Sequence, residues 1–225
     1  MSMPFYVAPE QFMKDKVDFA RKGIARGRAL VAVAYDNGIL LCAENPSTSL
    51  HKISEIYDRI AFAGAGRYNE FDQLRQAGVQ HADVKGYQYS REDVDARTLA
   101  NLYAQQLGMV FTHEMKPFEV EILVAEVGDS AEDDKFFHIL YDGIVTDETG
   151  YAVLGGDSDA IAERLKEAFA GSAALGPALT AAVTALAGPE RTLAAAELEV
   201  AVLDRTIERR SFRRLADGEV DSLLK

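Results

Sequence analysis

The distribution of apolar residues predicts two β-hairpins near the start of the chain. Four short runs are rich in apolar and β-branched residues and show little alternation, which is typical of strands in a sheet covered on both faces. The four runs are residues 30–35, 39–42, 53–57 and 60–63. Asp36-Asn37-Gly38 separates the first two, and Asn-Gly favours the positive φ angles of a tight turn. Asp58-Arg59 separates the other two, so paired antiparallel strands are predicted.

The rest of the chain alternates between helical and strand patterns. Helical spacing of apolar residues predicts helices at residues 68–82, 92–113, 158–170 and 178–187, and a short last one at 220–224. Strand patterns occupy residues 118–127, 135–141, 151–154, 198–203 and 212–214. The order of strands, two helices, strands, two helices and strands predicts two stacked sheets with helices outside. This is a four-layer α-β-β-α sandwich of the α+β class.

A further helix precedes the first strand. Pro9 and Glu10 are typical of a helix N-terminus, and the pattern predicts a helix over residues 9–27. Its apolar stripe consists of Phe12, Met13, Val17, Ala20 and Ile24. Its polar side holds Lys14, Asp15, Lys16, Asp18, Arg21 and Lys22. The helix either covers the core of its own fold or docks an exposed part of the stripe on a partner.

Residues 1–8 have an unusual composition for a chain terminus. They carry no charged side chain, and they include Phe5 and Tyr6. One interpretation is a frayed terminus, which is common in proteins. The other is a segment that packs against something outside its own fold.

Composition and charge restrict the class of protein. The chain has 225 residues without a dividing linker, which predicts a single domain over residues 1–225. The net charge of −12 argues against nucleic acid or an anionic membrane as the main partner. No apolar run approaches the roughly 18 residues of a membrane span, and the N-terminus lacks a signal-peptide pattern. Because Cys42 is the single cysteine, an internal disulfide is excluded and a cytoplasmic location is expected.

Motifs for phosphate, metal or serine chemistry are absent or incomplete. Gly64-Ala65-Gly66 precedes a predicted helix, but Asn69 stands where a dinucleotide-binding fingerprint has its third glycine. The sequence has neither a Walker-type phosphate loop nor a Gly-x-Ser-x-Gly elbow. Its four histidines are widely scattered, so we predict no metal site and no cofactor. Cys42 lies within a predicted strand, where an inert buried thiol is expected.

One absence bears directly on function. Stacked-sheet hydrolases can use a Ser, Thr or Cys freed at the start of the first strand, where the new α-amino group serves as base. From Met3 through Leu41 the sequence contains none of these three residue types, and Arg26-Gly27-Arg28 precedes the first strand. The predicted layout therefore matches such a hydrolase, but the attacking group is missing.

Long segments of the chain are similar to one known family. The most specific are PEQ at residues 9–11, ARKGIARGRALVAVAYDNGILLCAENPS at 20–47 and HKISEIYDRIAFAGAGRYNEFD at 51–72. The similarity extends through LANLYAQQLG at 99–108, KPFEVEILVAEV at 116–127 and LEVAVLD at 198–204. Over essentially its whole length, the chain resembles the α-type subunit of the 20S proteasome in its actinobacterial form.

The resemblance implies a fold and an assembly. The fold is the N-terminal-nucleophile hydrolase-like sandwich with an extra N-terminal helix, in a subunit that does not itself cleave peptides. Seven copies form each outer ring of a four-ring barrel whose inner rings are catalytic β-subunits. The α-ring templates β-ring assembly, gates the axial channel and docks the C-terminal tails of a hexameric AAA ATPase activator. That activator delivers pupylated proteins, which carry a small ubiquitin-like tag.

The resemblance also implies site residues. Lys52 matches a lysine in the pocket between neighbouring α-subunits that takes the C-terminal carboxylate of the activator tail. Gly66 falls where the family places a backbone contact to the same tail, and Asp18 falls near the pocket wall. The gate corresponds to Ser2, Met3, Pro4, Phe5, Tyr6, Val7, Ala8 and Pro9. Without the resemblance, Lys52 would be interpreted as a solvated lysine at a strand end.

The chain departs from archaeal relatives at the expected gate. Those relatives carry Tyr-Asp-Arg in the N-terminal tail, and a glutamate and a tyrosine where this chain has Asp18 and Phe19.

Two other functions stay open. A self-processing threonine-type peptidase subunit of the same fold would be favoured by a threonine at the start of the first strand. An α+β protein with an unrelated role would be favoured by a monomer in solution.

Overall fold

The computed structural model describes residues 8–169, 171 and 173–225, which form six α-helices and ten strands. The helices are α1 (Pro9–Ala25), α2 (Tyr68–Gln88), α3 (Ala96–His113), α4 (Ser158–Ala168), α5 (Leu175–Ala187) and α6 (Asp217–Leu223). The first five strands are β1 (Leu30–Tyr35), β2 (Gly38–Glu44), β3 (Ile53–Tyr57), β4 (Ile60–Gly66) and β5 (Val120–Glu126). The others are β6 (Lys135–Ile139), β7 (Val145–Glu148), β8 (Tyr151–Leu154), β9 (Leu198–Asp204) and β10 (Phe212–Arg214).

The strands form two antiparallel sheets that stack on each other. The first sheet has the order β10-β9-β2-β1-β8, and the second has the order β3-β4-β5-β6-β7. Helices α4 and α5 pack on the outer face of the first sheet, and α2 and α3 pack on the outer face of the second. The α-β-β-α sandwich of the α+β class that the order of elements predicts is therefore confirmed.

Alternation along the strands divides the apolar side chains between layers. In β1, Leu30 and Ala32 face the second sheet, whereas Val31 and Val33 face the helices. The layer between the sheets is rich in small side chains, and eight of its buried residues are alanines: Ala32, Ala43, Ala61, Ala63, Ala65, Ala125, Ala152 and Ala201. Small facing residues allow two sheets to interlock with few voids.

The turn between β1 and β2 differs from the sequence prediction. Tyr35 pairs with Gly38, so the two-residue loop is Asp36-Asn37 and Gly38 already belongs to β2. Among the described residues, only glycines have positive φ angles, so Asn37 does not adopt the left-handed turn conformation. Gly38, with φ +146°, is required for another reason. A Cβ at Gly38 would lie 1.9 Å from the carbonyl oxygen of Leu203 in β9.

Several predicted boundaries were wrong. Helix α1 ends at Ala25 instead of residue 27, and α5 begins at Leu175 instead of residue 178. Helix α4 ends at Ala168, and Ala170, the last residue of that predicted helix, lies outside the described residues. Helix α3 begins at Ala96 rather than at residue 92, because the side chain of Asp95 caps it by accepting from the Thr98 N–H at 2.8 Å. Strand β7 was not predicted at all.

Helix α1 is held by a buried lysine. Lys16, which the sequence placed on the polar side, is only 4% exposed. Its ammonium donates to the carbonyls of Phe111 at 2.8 Å and Glu114 at 2.6 Å, at the C-terminal end of α3. Helix ends leave such carbonyls without partners, and a cation there is favourable. The predicted apolar stripe is divided, since Ala20 and Ile24 are buried while Phe12, Met13 and the neighbouring Phe19 are exposed.

Helix α2 continues past the predicted end at residue 82, and two of its glycines lie against tyrosines. A Cβ at Gly86 would lie 2.0 Å from the hydroxyl of Tyr57, and one at Gly78 would lie 1.7 Å from the hydroxyl of Tyr103. Tyr103 is fully buried, and no described atom forms a hydrogen bond with its hydroxyl. The close approach of helix and ring thus explains the glycines that weaken the helical pattern.

We expect Gly78→Ala to lower the free energy of unfolding by about 1–3 kcal/mol, since the new methyl group overlaps a rigid ring. This outcome opposes the preference of ~1 kcal/mol for alanine over glycine in a helix. Tyr103→Phe removes a buried hydroxyl that has no described hydrogen-bond partner, so it should not lower the free energy of unfolding. The double variant should recover part of the loss, because the two side chains are in contact.

Urea unfolding at one protein concentration measures all three variants. Gly218→Ala in α6 is the matched control, because a Cβ there would meet no described atom within 4 Å. If the change in unfolding free energy of the double variant equals the sum of the two single changes, Gly78 and Tyr103 are not in contact.

Candidate functional site

Lys52 and Gly66 lie at the same edge of the second sheet. Lys52 immediately precedes β3, and Gly66 is the last residue of β4. These strands are antiparallel neighbours, and the N–H of Gly64 donates to the carbonyl of Lys52 at 3.0 Å. Lys52 is therefore two residues away from Gly66 across the strand pair. The structure brings together two of the residues that the sequence singled out.

The ammonium of Lys52 reaches the segment before β1. Its side chain is half-buried, and Nζ donates to the carbonyl oxygen of Arg28. A lysine ammonium has three N–H donors, and this carbonyl takes one of them. The other two can donate to an incoming anion, and a carboxylate accepts such charge-assisted bonds strongly.

The surroundings lower the pKa of Lys52. Burial is the largest cause, and it brings the pKa from the ordinary 10.5 to about 8. The carboxylates of Glu199 and Glu44 act in the opposite direction and favour the charged form, whereas Arg28 disfavours it. The ammonium is thus still mostly protonated near neutral pH, but an added negative charge would stabilise it.

Glu199 is a member of this site that the sequence interpretation missed. It lies in β9, its side chain is only 6% exposed, and it accepts the backbone N–H groups of Lys52 at 2.8 Å and Ile53 at 3.1 Å. A signal was available, because Glu199 is a carboxylate inside the otherwise apolar run Leu198–Leu203 of LEVAVLD. The two backbone N–H groups that it accepts are more than a hundred residues away in the sequence, so no local pattern identifies them.

Glu44 forms a second charged group beside Lys52. It accepts from Arg28 Nη1 at 2.9 Å and from both terminal nitrogens of Arg191 at 3.2 Å. Both arginines are about half exposed, so each pair contributes at most about 1 kcal/mol. These residues line a cleft of about 510 Å³ that runs from Gly27 to the loop after α5.

Gly66 is explained by the fold itself. Its φ angle is +102°, and a Cβ there would lie 2.0 Å from the carbonyl oxygen of Glu119. Only glycine fits both constraints. The backbone contact to a partner that was inferred for Gly66 stays a prediction.

Asp18 is separate from the other two predicted site residues. It lies on the exposed side of α1, where its charge acts on Arg21. Within one chain, no described hydrogen bond or ion pair joins Asp18 to Lys52 or Gly66, and the neighbour on which its charge acts is Arg21. Its assignment to a pocket wall between subunits stays a prediction.

Most of the predicted gate lies outside the described residues, namely Ser2, Met3, Pro4, Phe5, Tyr6 and Val7. Ala8 has an extended conformation, and its carbonyl accepts the N–H of Phe12 at 3.0 Å. Pro9 is the first residue of α1, as its sequence position predicts. The gating role of residues 2–9 stays a prediction.

The segment before β1 has no nucleophilic side chain, since it consists of Arg26, Gly27, Arg28 and Ala29. The thiol of Cys42 in β2 is fully buried as predicted, and burial raises its pKa to about 12, which keeps it protonated. Among the described residues, no cluster of three His, Cys, Asp or Glu side chains could bind a metal ion. None of the helices in the described part of the chain combines the length and apolarity of a membrane span.

The chain is similar to known proteins over its full length. Residues 24–203 match the family model described as proteasome subunit. The chain is 63% identical to the proteasome subunit alpha of Acidimicrobium ferrooxidans, over 100% of this chain and 97% of that protein. It is 58% identical to that of Streptosporangium roseum and 57% identical to that of Thermomonospora curvata, over 100% of this chain and 87% and 98% of those proteins. The chain therefore belongs to the proteasome subunit family and, within it, to the α-type subunits of the actinobacterial form.

Proposed function

We propose that this chain is a non-catalytic subunit of the proteasome core, in which seven copies form each outer ring. In this function the rings template the assembly of the catalytic β-rings, gate the axial channel and dock a hexameric AAA ATPase activator. Pupylated proteins in the cytoplasm are the substrates that pass through. The full-length similarity to proteins named proteasome subunit alpha is the observation that carries the proposal.

The segment before β1 supports a non-catalytic role. A threonine-type peptidase of this fold needs a hydroxyl or thiol at the start of that strand. The chain instead continues through Arg26-Gly27-Arg28, and the carbonyl of Arg28 is bonded to Lys52. No observation favours the alternative of a self-processing peptidase subunit.

An exposed apolar surface on α1 supports assembly. Phe12 and Phe19 line a groove of about 220 Å³ together with Met115 and Pro117, which follow α3. Phe12, Phe19 and Met115 are all exposed in the single chain. We assign this surface to contacts with neighbouring subunits of the rings, because exposed apolar patches of this kind mark interfaces.

Lys52 is the residue that we assign to activator docking. The carboxylate at the end of an activator tail would accept the two ammonium donors that Arg28 leaves unused. Partial burial strengthens this contact, because water competes less for both charges. Gly66 and Asp18 are assigned to the same pocket, with Asp18 reaching it from α1.

The N-terminal residues are assigned to the gate. Seven uncharged segments of residues 1–8, converging at the ring axis, would supply Phe5 and Tyr6 as an apolar plug. Pro9 would fix the point at which each segment enters α1. We propose one domain over residues 1–225, in which the tail (1–8) and the N-terminal segment 9–27, which contains α1, are added to the sandwich (28–225).

We expect the purified chain to elute as a ring-sized particle, or to do so when it is co-expressed with its β-subunit. It should not hydrolyse peptides unless the β-subunit is present, because the nucleophile is missing. Size-exclusion chromatography, electron microscopy and a fluorogenic peptide assay provide the measurements. Hydrolysis by the chain alone would contradict the proposal and support the peptidase alternative, whereas a persistent monomer would support an unrelated role.

We expect Lys52→Ala to abolish activator-dependent degradation of a pupylated protein while ring assembly remains intact. The reason is that alanine removes the only cation assigned to the tail carboxylate. Lys166→Ala, at an exposed lysine in α4, is the matched control and should behave as the unsubstituted chain does. A Lys52→Ala proteasome that responds normally to the ATPase would show that the pocket is assigned wrongly.

Docking should weaken as pH rises through the pKa of Lys52. A bound carboxylate favours the ammonium, so the pKa of Lys52 rises above 8 in the complex and binding takes up a proton at higher pH. Affinity should therefore be full below about pH 8 and should fall about tenfold per pH unit above it. Titration with a tail peptide ending in a free carboxylate tests this, and a C-terminally amidated peptide should show no such decline.

A further inference from the structure

Glu199 occupies a position where the fold otherwise places apolar side chains. Ala201 and Leu203 of β9 face the second sheet, and because strand side chains alternate, Glu199 shares that face. Its side chain is only 6% exposed at the end of the sandwich. A buried carboxylate strongly destabilises a fold unless its oxygens accept hydrogen bonds. The hydrogen bonds that Glu199 accepts therefore indicate its role.

The carboxylate accepts two successive backbone N–H groups. Oε2 accepts from Lys52 at 2.8 Å, and Oε1 accepts from Ile53 at 3.1 Å. The other groups around the two oxygens are Asn45 Nδ2 at 2.7 Å, Arg214 Nη1 and His51 Nδ1 at 3.4 Å. Glu199 thus connects β9 in the first sheet to the start of β3 in the second.

These bonds fix the backbone at the point where the Lys52 side chain leaves it. The Ile53 carbonyl is also held, because it accepts from Arg214 Nη2 at 2.7 Å. Because the backbone is fixed on both sides of the Lys52 Cα atom, the position of that atom is fixed too. The side chain extends from there to the carbonyl of Arg28. A pre-positioned donor loses less conformational entropy when it binds a ligand.

We infer that Glu199 is a positioning residue for docking, which holds Lys52 so that its ammonium faces an incoming carboxylate. The inference rests on the proposed docking function of Lys52. Glu44 provides the contrast, because it also places a negative charge near Lys52 but bonds to the side chains of Arg28 and Arg191. Only Glu199 of these two carboxylates contacts the backbone of Lys52.

Three charged groups act on this lysine, and each comes from a different part of the chain. Glu199 belongs to β9, Glu44 to β2, and Arg28 to the segment before β1. Arg214 of β10 and His51 flank Glu199 on its other sides. A substitution at Glu199 therefore changes both the geometry and the charge around Lys52, and the two effects need separate measurements.

Three variants of the full chain separate position from charge. Glu199→Asp keeps the charge but withdraws the oxygens from the two N–H groups, and Glu199→Gln removes the charge and places an amide N–H₂ among donors. Glu44→Gln is the matched control. The probes are a short tail peptide with a free C-terminal carboxylate and its C-terminally amidated form. Affinity is measured at about pH 6.5, where Lys52 is protonated in the unsubstituted chain.

We expect both Glu199 variants to bind the carboxylate peptide about tenfold more weakly than the unsubstituted chain, while Glu44→Gln stays within about twofold. Competitive acylation at graded pH, read by mass spectrometry, gives the pKa of Lys52 in each variant. Glu199→Gln should lower that pKa by about one unit, whereas Glu199→Asp should leave it close to the original value. If Glu199 had only a structural role, its variants would lower the stability of the fold. Glu199→Asp would then not combine weaker peptide binding with an unchanged pKa of Lys52.

The outcomes distinguish the two proposals. If the unsubstituted chain binds both peptides equally, docking at Lys52 is wrong, and the positioning role of Glu199 in docking is wrong with it. If the unsubstituted chain prefers the carboxylate peptide and Glu199→Asp binds it with unchanged affinity, the positioning role is wrong while docking stands. If Glu199→Gln does not fold, Glu199→Asp decides by itself.

Discussion

The contact between the two sheets is the interaction on which the rest of the structure depends. Both facing surfaces are built largely from small and branched apolar residues, which allows the sheets to interlock closely. A shift of one residue in any strand would turn its inward side chains outward. This constraint aligns the start of β1, the start of β3 and the start of β9 at one end of the sandwich. The half-buried lysine and its carboxylate partner occupy that end.

The main elements of the fold could be predicted because their signals are local. The two hairpins follow from short apolar runs separated by turn residues, and most helices follow from a period of 3.6 residues along the chain. Strand β7 could not be predicted in this way, since Val145–Glu148 is a short edge strand with exposed residues, and its pairing with β6 defines it. The length of α2 was also hidden, because Gly86 disfavours a helix until the ring of Tyr57 is placed beside it.

The candidate site could be predicted only in part, because its contacts join residues that are far apart in the sequence. Lys52 was identified through family resemblance, because a single lysine at a strand end carries no signal of its own. Glu199 was detectable as a charge in an apolar strand, but its role appears only when β9 lies beside β3. Lys16 was placed on the wrong side of its helix, since helical spacing does not reveal that the end of α3 supplies carbonyl partners.

The path of the chain at Arg28 determines whether the start of β1 could carry the catalytic group of a hydrolase. Because α1 runs directly into β1 through Gly27 and Arg28, the first strand begins with an ordinary amide linkage. An amide nitrogen is not basic, so even a serine or threonine introduced at Arg28 would have no α-amine to remove its proton. Hydrolysis by this mechanism would require both a new hydroxyl and the excision of α1. A point substitution at Arg28 supplies only the hydroxyl, and the α-amine is released only by a separate cleavage of the chain.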